Sequence, residues 1–295
     1  MLPVDWLRRF RGLCVPERPL APLTTWGLGG PAQLYLEPAD TEELAETLRL
    51  LQRLGLPYRI LGGGSNLLIS DRGVRGAVVS LARLARIEAH DDGTLRAEAG
   101  ARLHQVVTFA ARRGLSGLET LVGIPGRVGG AVFGNSGSKY GAIGDLVKAL
   151  DLIEPDGTLT HIVPNEFFFR YRGSAVGNAV VVRAHLAVGA GEPRLLRARI
   201  RERITERRRS QPGWNGNAGC VFRNPEGASA GRLIDEAGGK RLRVGKISVS
   251  PVHANFFLNE GGGTEGEVQR LVHRVRERVR QVHGIELSWE VRRWA

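Results

Sequence analysis

The sequence predicts an α+β chain of two or three domains, and three observations predict it. Strand and helix signals alternate over residues 1–70. Residues 71–190 are mainly β. A polar, arginine-rich helix over 193–210 then breaks at a Pro/Gly/Asn segment, and a compact α/β unit follows. At 295 residues the chain can bury two or three real cores. An apolar content of 42% and a charged content of 24% are those of a soluble globular protein, which excludes a disordered chain.

Residues 32–37 read as a strand. Thr41 reads as the cap of a helix with Glu42 and Glu43 in its first turn, an apolar stripe of Leu44, Leu48 and Leu51, and a stop at Gly55. Residues 58–61 form a strand that runs into Gly62-Gly63-Gly64-Ser65-Asn66. Residues 67–71 are a short apolar run closed by Arg72-Gly73-Val74. Residues 76–81 and 94–99 read as strands, and 102–113 as a helix stopped by Gly114. A second glycine loop follows, Gly123-Ile124-Pro125-Gly126-Arg127-Val128-Gly129-Gly130-Ala131, and continues to Asn135. Then come a hairpin (148–154, the turn Pro155-Asp156-Gly157, 158–163) and a β-rich run over 179–186. Gln211-Pro212-Gly213-Trp214-Asn215-Gly216-Asn217 breaks the arginine-rich helix. Residues 229–237 form a short helix closed by Gly238-Gly239. Thr264 and Glu267 make a capping box for a long helix. Its apolar face carries Val268, Leu271, Val272, Val275, Val279 and Val282, and Gly284 ends it. The last strand alternates Ile285, Leu287, Trp289 and Val291 with Glu286, Ser288, Glu290 and Arg292.

The two glycine loops, about sixty residues apart, are the strongest functional signal. Glycine lets the backbone approach a bound group and turn its N–H donors inward. Successive N–H groups form a nest for anions, above all phosphate. A plain turn explains one such loop; two suggest a dinucleotide gripped in two places. A Rossmann fingerprint is excluded, because its third glycine position is Leu67 and a strand rather than a helix follows. The phosphate therefore rests on loop N–H groups without a helix dipole.

The net charge of +12 invites a nucleic-acid reading. Against it, lysine occurs only at positions 139, 148, 240 and 246, and the arginines are spread along the chain. The densest cluster, residues 201–209, interleaves acids at helical spacing and reads as a solvated helix face. Interleaved aromatics for base stacking are missing. No nucleic-acid partner is expected; the positive field instead favours small polyphosphate substrates. No apolar stretch approaches a membrane span, and Met1 to Arg9 lacks the apolar core of a signal peptide. A cytoplasmic protein with Cys14 and Cys220 as free thiols is expected. The histidines show no metal spacing, and no metal is expected.

Three side chains could carry chemistry. Glu290 lies opposite the apolar face of the last strand, so it is solvated or lines a cleft. Cys220 follows a small-residue approach; a thiol near pKa 8.5 is mostly protonated at pH 7 and can donate a proton to a carbanion, although a small buried apolar role is the ordinary one. Arg172 follows Phe167-Phe168-Phe169, which read as a buried anchor. A guanidinium held there needs a carboxylate or a phosphate; a structural ion pair meets that need as well as a substrate clamp does.

Taken in order, these segments resemble the UDP-N-acetylenolpyruvoylglucosamine reductase (MurB) family over nearly the whole length. The resemblance is carried by Thr24-Thr25-Trp26-Gly27-Leu28-Gly29-Gly30-Pro31-Ala32, the two glycine loops with Asn135, and Tyr171-Arg172-Gly173-Ser174. It continues through Ala218-Gly219-Cys220-Val221-Phe222-Arg223-Asn224-Pro225, His253-Ala254-Asn255-Phe256 and Glu290-Val291-Arg292. It implies a two-subdomain FAD-binding module of the vanillyl-alcohol-oxidase (PCMH) type, residues 1–70 and 71–192, plus a linker helix and α/β substrate-binding domain over 193–295. The short span between Arg172 and Cys220 resembles the form without a tyrosine-bearing insertion.

The resemblance further implies non-covalent FAD, NADPH as reductant and a UDP-sugar enolpyruvate as substrate. The flavin site then comprises Gly62, Gly63, Gly64, Ser65, Asn66, Gly123, Ile124, Pro125, Gly126, Gly129, Gly130, Ala131 and Asn135. Arg172 and Glu290 flank the substrate carboxylate and its enol-like intermediate, with Glu290 protonated or acting through Arg172 or water. Cys220 protonates the carbon, and Tyr171, Asn224, His253 and Asn255 bind substrate. Two departures stand out. Cys220 occupies a position where the best-known members have serine, and Asn135-Ser136-Gly137-Ser138-Lys139-Tyr140 replaces the usual Asn-x-Gly-Ala-Tyr-Gly. The nearest alternative is another FAD-dependent oxidoreductase on the same module, acting on a sugar lactone or hydroxy acid. Many of these tether flavin through histidine, and neither loop contains one.

Overall fold

In a computed structural model, which describes residues 2–213 and 215–294, the chain forms two compact units that interleave in sequence. One comprises Met1–Pro16, Leu34–Gly63 and Arg75–Thr205; the other comprises Glu17–Gln33, Gly64–Val74 and Glu206–Ala295. Each has its own core.

In the first unit an antiparallel five-stranded sheet runs in the spatial order Leu159–Ile162, Val147–Ile153, Val180–Ala187, Thr94–Glu98, Ile87–His90. One face carries the buried Leu95, Ala97, Leu150, Leu152, Val182, Ala184 and Leu186. Strands place alternate residues on opposite faces, so Asp151, Arg183 and His185 stand on the other face. The helices Leu103–Arg112 and Val128–Phe133 add Leu103, Val106, Val107, Val128 and Val132 to this core. The parallel strands Tyr58–Leu61 and Val74–Ser80 pair from Tyr58↔Ala77 to Leu61↔Ser80, which delivers the first glycine loop at a strand's C-terminal end. The helix Thr41–Arg53 buries Leu44, Leu48 and Leu51 as the spacing predicts. Its cap is Asp40, not Thr41: the Asp40 carboxylate accepts from the Glu43 N–H at 2.9 Å, and Thr41 begins the helix proper.

In the second unit the helix Glu265–His283 opens with the expected reciprocal capping box of Thr264 and Glu267. It buries Val268, Leu271, Val272, Val275 and Val279. Val282 departs from the expected stripe and is 52% exposed at the helix end. The three-stranded sheet Arg243–Val244, Ile247–Val249 and Phe257–Asn259 packs with this helix and with Ala230–Glu236 around Phe222 and Phe257. The expected C-terminal strand is shorter than its alternation suggests. Trp289 makes one isolated bridge to Phe222, and a regular strand covers only Arg292–Trp294, parallel to Leu67–Ile69. Among the described residues no helix is long and apolar enough to cross a membrane. The helix Pro193–Ser210 buries only Leu196, which bears out a solvated arginine-rich face.

Candidate active site

Gly62 and Gly63 of the first loop meet the second loop within the first unit. A methyl group on Gly63 would stand 2.7 Å from the Cα of Gly126, so only glycine permits this approach. Gly62 lies beside Gly130, whose backbone is 3.7 Å from where a Gly62 side chain would begin. Gly130 itself has φ in the ordinary range, and no protein atom stands within 4 Å of where its side chain would be. Packing therefore does not require glycine at 130, and the backbone surface there is open. Among the described residues, no protein acceptor takes the N–H groups of Gly62, Gly63 or Gly64. An open face beside a run of uncommitted N–H donors suits a dinucleotide pyrophosphate. The residues present fit FAD on this ground.

The second loop is braced by its own polar groups. Gly129 packs on Ala99, and the N–H groups of Val128 and Gly129 donate to the carbonyls of Ala101 and Ala99 at 2.9 Å each. Ile124 and Ala131 are buried, and the Ile124 N–H donates to the Leu121 carbonyl behind Gly123 and Pro125. Arg127, quoted in the motif but not singled out as a site residue, donates to the Gly100 carbonyl. Burial, with Arg102 nearby, lowers its affinity for a proton. Asn135 adopts a φ of 43°. Its amide nitrogen donates to the Arg170 carbonyl at 3.1 Å, and its amide oxygen accepts from Gly144 N–H at 3.0 Å.

Asn135 thereby ties the end of the loop to the strand Phe169–Arg170, two residues before Arg172. Arg172 also has positive φ, at 57°. Its guanidinium donates to the Gly137 carbonyl at 3.3 Å and lies 5.5 Å from the Tyr171 ring centroid. Tyr171 is 58% exposed. The anchor before it differs from expectation: Phe168 and Phe169 pack on the core, whereas Phe167 is 80% exposed.

The second unit gathers the other candidates by backbone pairing. Gly64 has φ of 60° and sits against the Leu23 carbonyl; its own carbonyl accepts from Thr25 N–H at 3.2 Å. Ser65 follows it in the loop, half-buried. The Asn66 side chain donates to the Glu290 carbonyl at 3.4 Å, and the Asn66 carbonyl accepts from Arg292 N–H at 3.1 Å. Glu290, half-buried, donates its N–H to the Val221 carbonyl at 2.8 Å. Cys220, the residue before Val221, pairs through its backbone with Phe256 and is partly buried, outside any disulfide. Cys220 and Glu290, seventy positions apart in the chain, thus stand on neighbouring backbone segments.

Asn255 fixes that arrangement. It is 2% exposed, and its side chain pairs with both backbone groups of Phe222: the oxygen accepts from N–H at 2.9 Å and the nitrogen donates to the carbonyl at 2.8 Å. His253 accepts the Asn255 N–H on Nδ1 at 3.2 Å, which makes the ring neutral with its proton on Nε2. Burial, with Lys240 adding to it, holds its pKa below the ordinary histidine value. Asn224 is exposed, and its oxygen accepts from Ala230 N–H at 3.0 Å at the start of the helix Ala230–Glu236. Asn217, which sequence reasoning missed, is 4% exposed. It accepts from Gly219 N–H and, through its carbonyl, from the Thr25 hydroxyl at 2.7 Å, shaping the approach to Cys220. The Asn-Ala-Gly-Cys turn pattern was the available signal.

The fold and these paired loops define a flavin-dependent oxidoreductase with an FAD-binding module of the vanillyl-alcohol-oxidase (PCMH) type. A model for an FAD binding domain matches residues 32–162, and one for the C-terminal domain of UDP-N-acetylenolpyruvoylglucosamine reductase matches 211–294. The UDP-N-acetylenolpyruvoylglucosamine reductase of Heliobacterium modesticaldum is 42% identical over 97% of this chain and 92% of its own. That of Moorella thermoacetica is 44% identical over 94% of this chain and 92% of its own. The crystal structure of the reductase MurB from Thermus caldophilus superposes with a TM-score of 0.82 at 37% identity, covering 97% of this chain and 99% of that one. The chain belongs to the UDP-N-acetylenolpyruvoylglucosamine reductase family.

Proposed function

We propose that this chain reduces UDP-N-acetylglucosamine enolpyruvate to UDP-N-acetylmuramate in peptidoglycan precursor synthesis, with NADPH as reductant and FAD held non-covalently. The observation that carries the reading is the hydrogen bond from Glu290 N–H to the Val221 carbonyl, beside Cys220, inside the segment that matches the family's C-terminal domain. Residues 1–70 and 71–192 serve as the two flavin-binding subdomains, and 193–295 as linker helix and substrate-binding domain. The protein works in the cytoplasm.

The loop residues Gly62 to Asn66, Gly123 to Gly126 and Gly129 to Ala131, with Asn135, would hold FAD. When bound, FAD supplies the hydride relay from NADPH to the substrate's vinyl CH2 carbon. Negative charge then develops on the adjacent carbon and into the carboxylate, and the protein's work is to stabilise it and quench it. Arg172, held against the Gly137 carbonyl with Tyr171 beside it, offers a fixed cation to the carboxylate. Cys220 gives its Sγ proton to the carbon; a C–H bond forms, an S–H bond breaks, and the thiolate recovers a proton from solvent. A carboxylate cannot stabilise an enolate directly, so Glu290 acts as the protonated acid or through water. Asn224 contributes to the sugar-nucleotide site. Asn255 and His253 act one step back, by fixing the segment that carries Cys220 and Phe222.

The test is spectroscopic. The purified chain should show bands of oxidised flavin, bleached by NADPH without oxygen and restored by UDP-N-acetylglucosamine enolpyruvate. Bleaching by NADPH with restoration only by a different acceptor overturns the substrate assignment. A yellow colour that stays with acid-precipitated protein overturns non-covalent binding.

A further inference from the structure

Spacing along the chain gives no sign of a cation site, but the five-stranded sheet gathers an aspartate and two histidines on its polar face. Asp151 stands in register with His161 on one neighbouring strand and with Arg183 on the other; His185 lies two residues further along. His161 Nδ1 is 2.7 Å from Asp151 Oδ1, and His185 Nε2 is 3.1 Å from Asp151 Oδ2. The two rings meet edge to face, 5.3 Å between centroids. One donor atom from each residue lies within 4.8 Å of the other two.

We propose that Asp151, His161 and His185 form a three-ligand site for a borderline divalent cation, Zn2+ in particular, which ties the edge strand Leu159–Ile162 to Val147–Ile153 and Val180–Ala187. Two imidazoles and one carboxylate, with water in the fourth position, are an ordinary zinc donor set. Zinc–nitrogen and zinc–oxygen bonds of about 2.0–2.1 Å set tetrahedral donors roughly 3.3 Å apart. The two hydrogen-bonded separations need only a small opening to reach that. Each imidazole presents a ring-nitrogen lone pair to the cation in place of its contact with Asp151. That costs little at His161, which is 57% exposed, while His185 and Asp151, at 13% and 16%, give the site a sheltered floor.

Arg183 works against the cation. Its guanidinium is 3.5 Å from Asp151 Oδ2 and shares its charge with Glu98 at 3.8 Å. It limits affinity without occupying the histidine nitrogens. This site is remote in residue content from the glycine loops and from Cys220, and it does not depend on the reaction proposed above.

The flavin-loaded protein, treated with chelator and exchanged into clean buffer, is titrated with zinc chloride by calorimetry and by thermal unfolding. One equivalent of Zn2+ should bind and raise the unfolding temperature. His161→Asn and His185→Asn should each weaken binding at least tenfold while leaving the unfolding temperature in chelator unchanged for the exposed His161. Arg183→Gln should tighten binding severalfold. The proposal is overturned if the parent protein binds no Zn2+, if His161→Asn titrates as the parent does, or if binding disappears in Cys14→Ser or Cys220→Ser and persists in the histidine variants.

Discussion

In the unit that holds Gly62, Gly63 and the second glycine loop, the proposed functional surface is backbone: Gly62 and Gly63 offer N–H groups and Gly130 offers open space, rather than side chains. In the unit that holds Cys220, the surface is side chains on an irregular ladder: single bridges join Cys220 to Phe256 and Phe222 to Trp289, and the Asn255 amide fills in for missing ladder bonds. The first arrangement has little room for substitution, because a side chain collides with a neighbouring main chain. In the second, the backbone bridge at Cys220 fixes where the side chain stands and not which atom it carries.

The sharpest test of the contrast is within the loops. In Gly63→Ala the new methyl meets the Gly126 Cα at 2.7 Å and its carbonyl carbon at 3.1 Å, a collision of a side chain with main chain that no rotamer relieves. Overpacking of this kind costs about 1–3 kcal/mol, and the flavin content of the purified protein should fall below a tenth of the parent's. Gly130→Ala meets no protein atom within 4 Å outside its own helix and should keep or slightly raise the unfolding temperature while weakening flavin binding. If Gly130→Ala binds FAD as the parent does, the open face at Gly130 is not part of the cradle.

The next largest effect separates the units by half-reaction. Cys220→Ala should leave NADPH-driven bleaching intact and slow the substrate half-reaction by roughly 10²–10⁴, the range for losing a positioned acid. Stopped-flow traces in which both halves slow alike would remove Cys220 from the role of proton donor.

Asn255→Leu tests the ladder itself. It strands the buried N–H and carbonyl of Phe222, and each unsatisfied group costs about 1–3 kcal/mol. A lower urea midpoint with flavin content preserved is expected, along with a slower substrate half-reaction from the displaced Cys220. Unchanged stability would mean that water replaces the amide and that the ladder is not rigid.

The regular elements could be read from the chain because periodicity reports burial directly: Leu44, Leu48 and Leu51, or the hairpin around Pro155-Asp156-Gly157, have one sensible placement. Ends were harder. Asp40 and Thr41 both make good caps, and only the Glu43 N–H chooses between them. Val282 continues the helical stripe past the point where the helix has anything to cover. The glycine loops were legible because no other residue does what glycine does there. The nearness of Cys220 to Glu290 was not, since isolated bridges leave no alternation to read. Nor was the Asp151, His161 and His185 cluster, which exists only through the register of three strands.

The smallest effect concerns acid. His253 is held neutral by burial, and its Nδ1 must remain unprotonated to accept the Asn255 N–H. An unfolded chain protonates the same ring near pH 6.5. The stability this ring contributes is therefore complete above pH 6.5 and is lost as pH falls from there towards the lower native value, because the unfolded state binds the proton first. The loss should appear in the side-chain-dependent unit and loosen the Asn255–Phe222 pairing. His253→Gln, which cannot titrate, should be somewhat less stable than the parent at pH 7.5, and its urea midpoint should fall less between pH 7.5 and 5.5. Parallel pH profiles for the two proteins would show that acid acts elsewhere, and that the ladder holding Cys220 is no more sensitive to protons than the loops are.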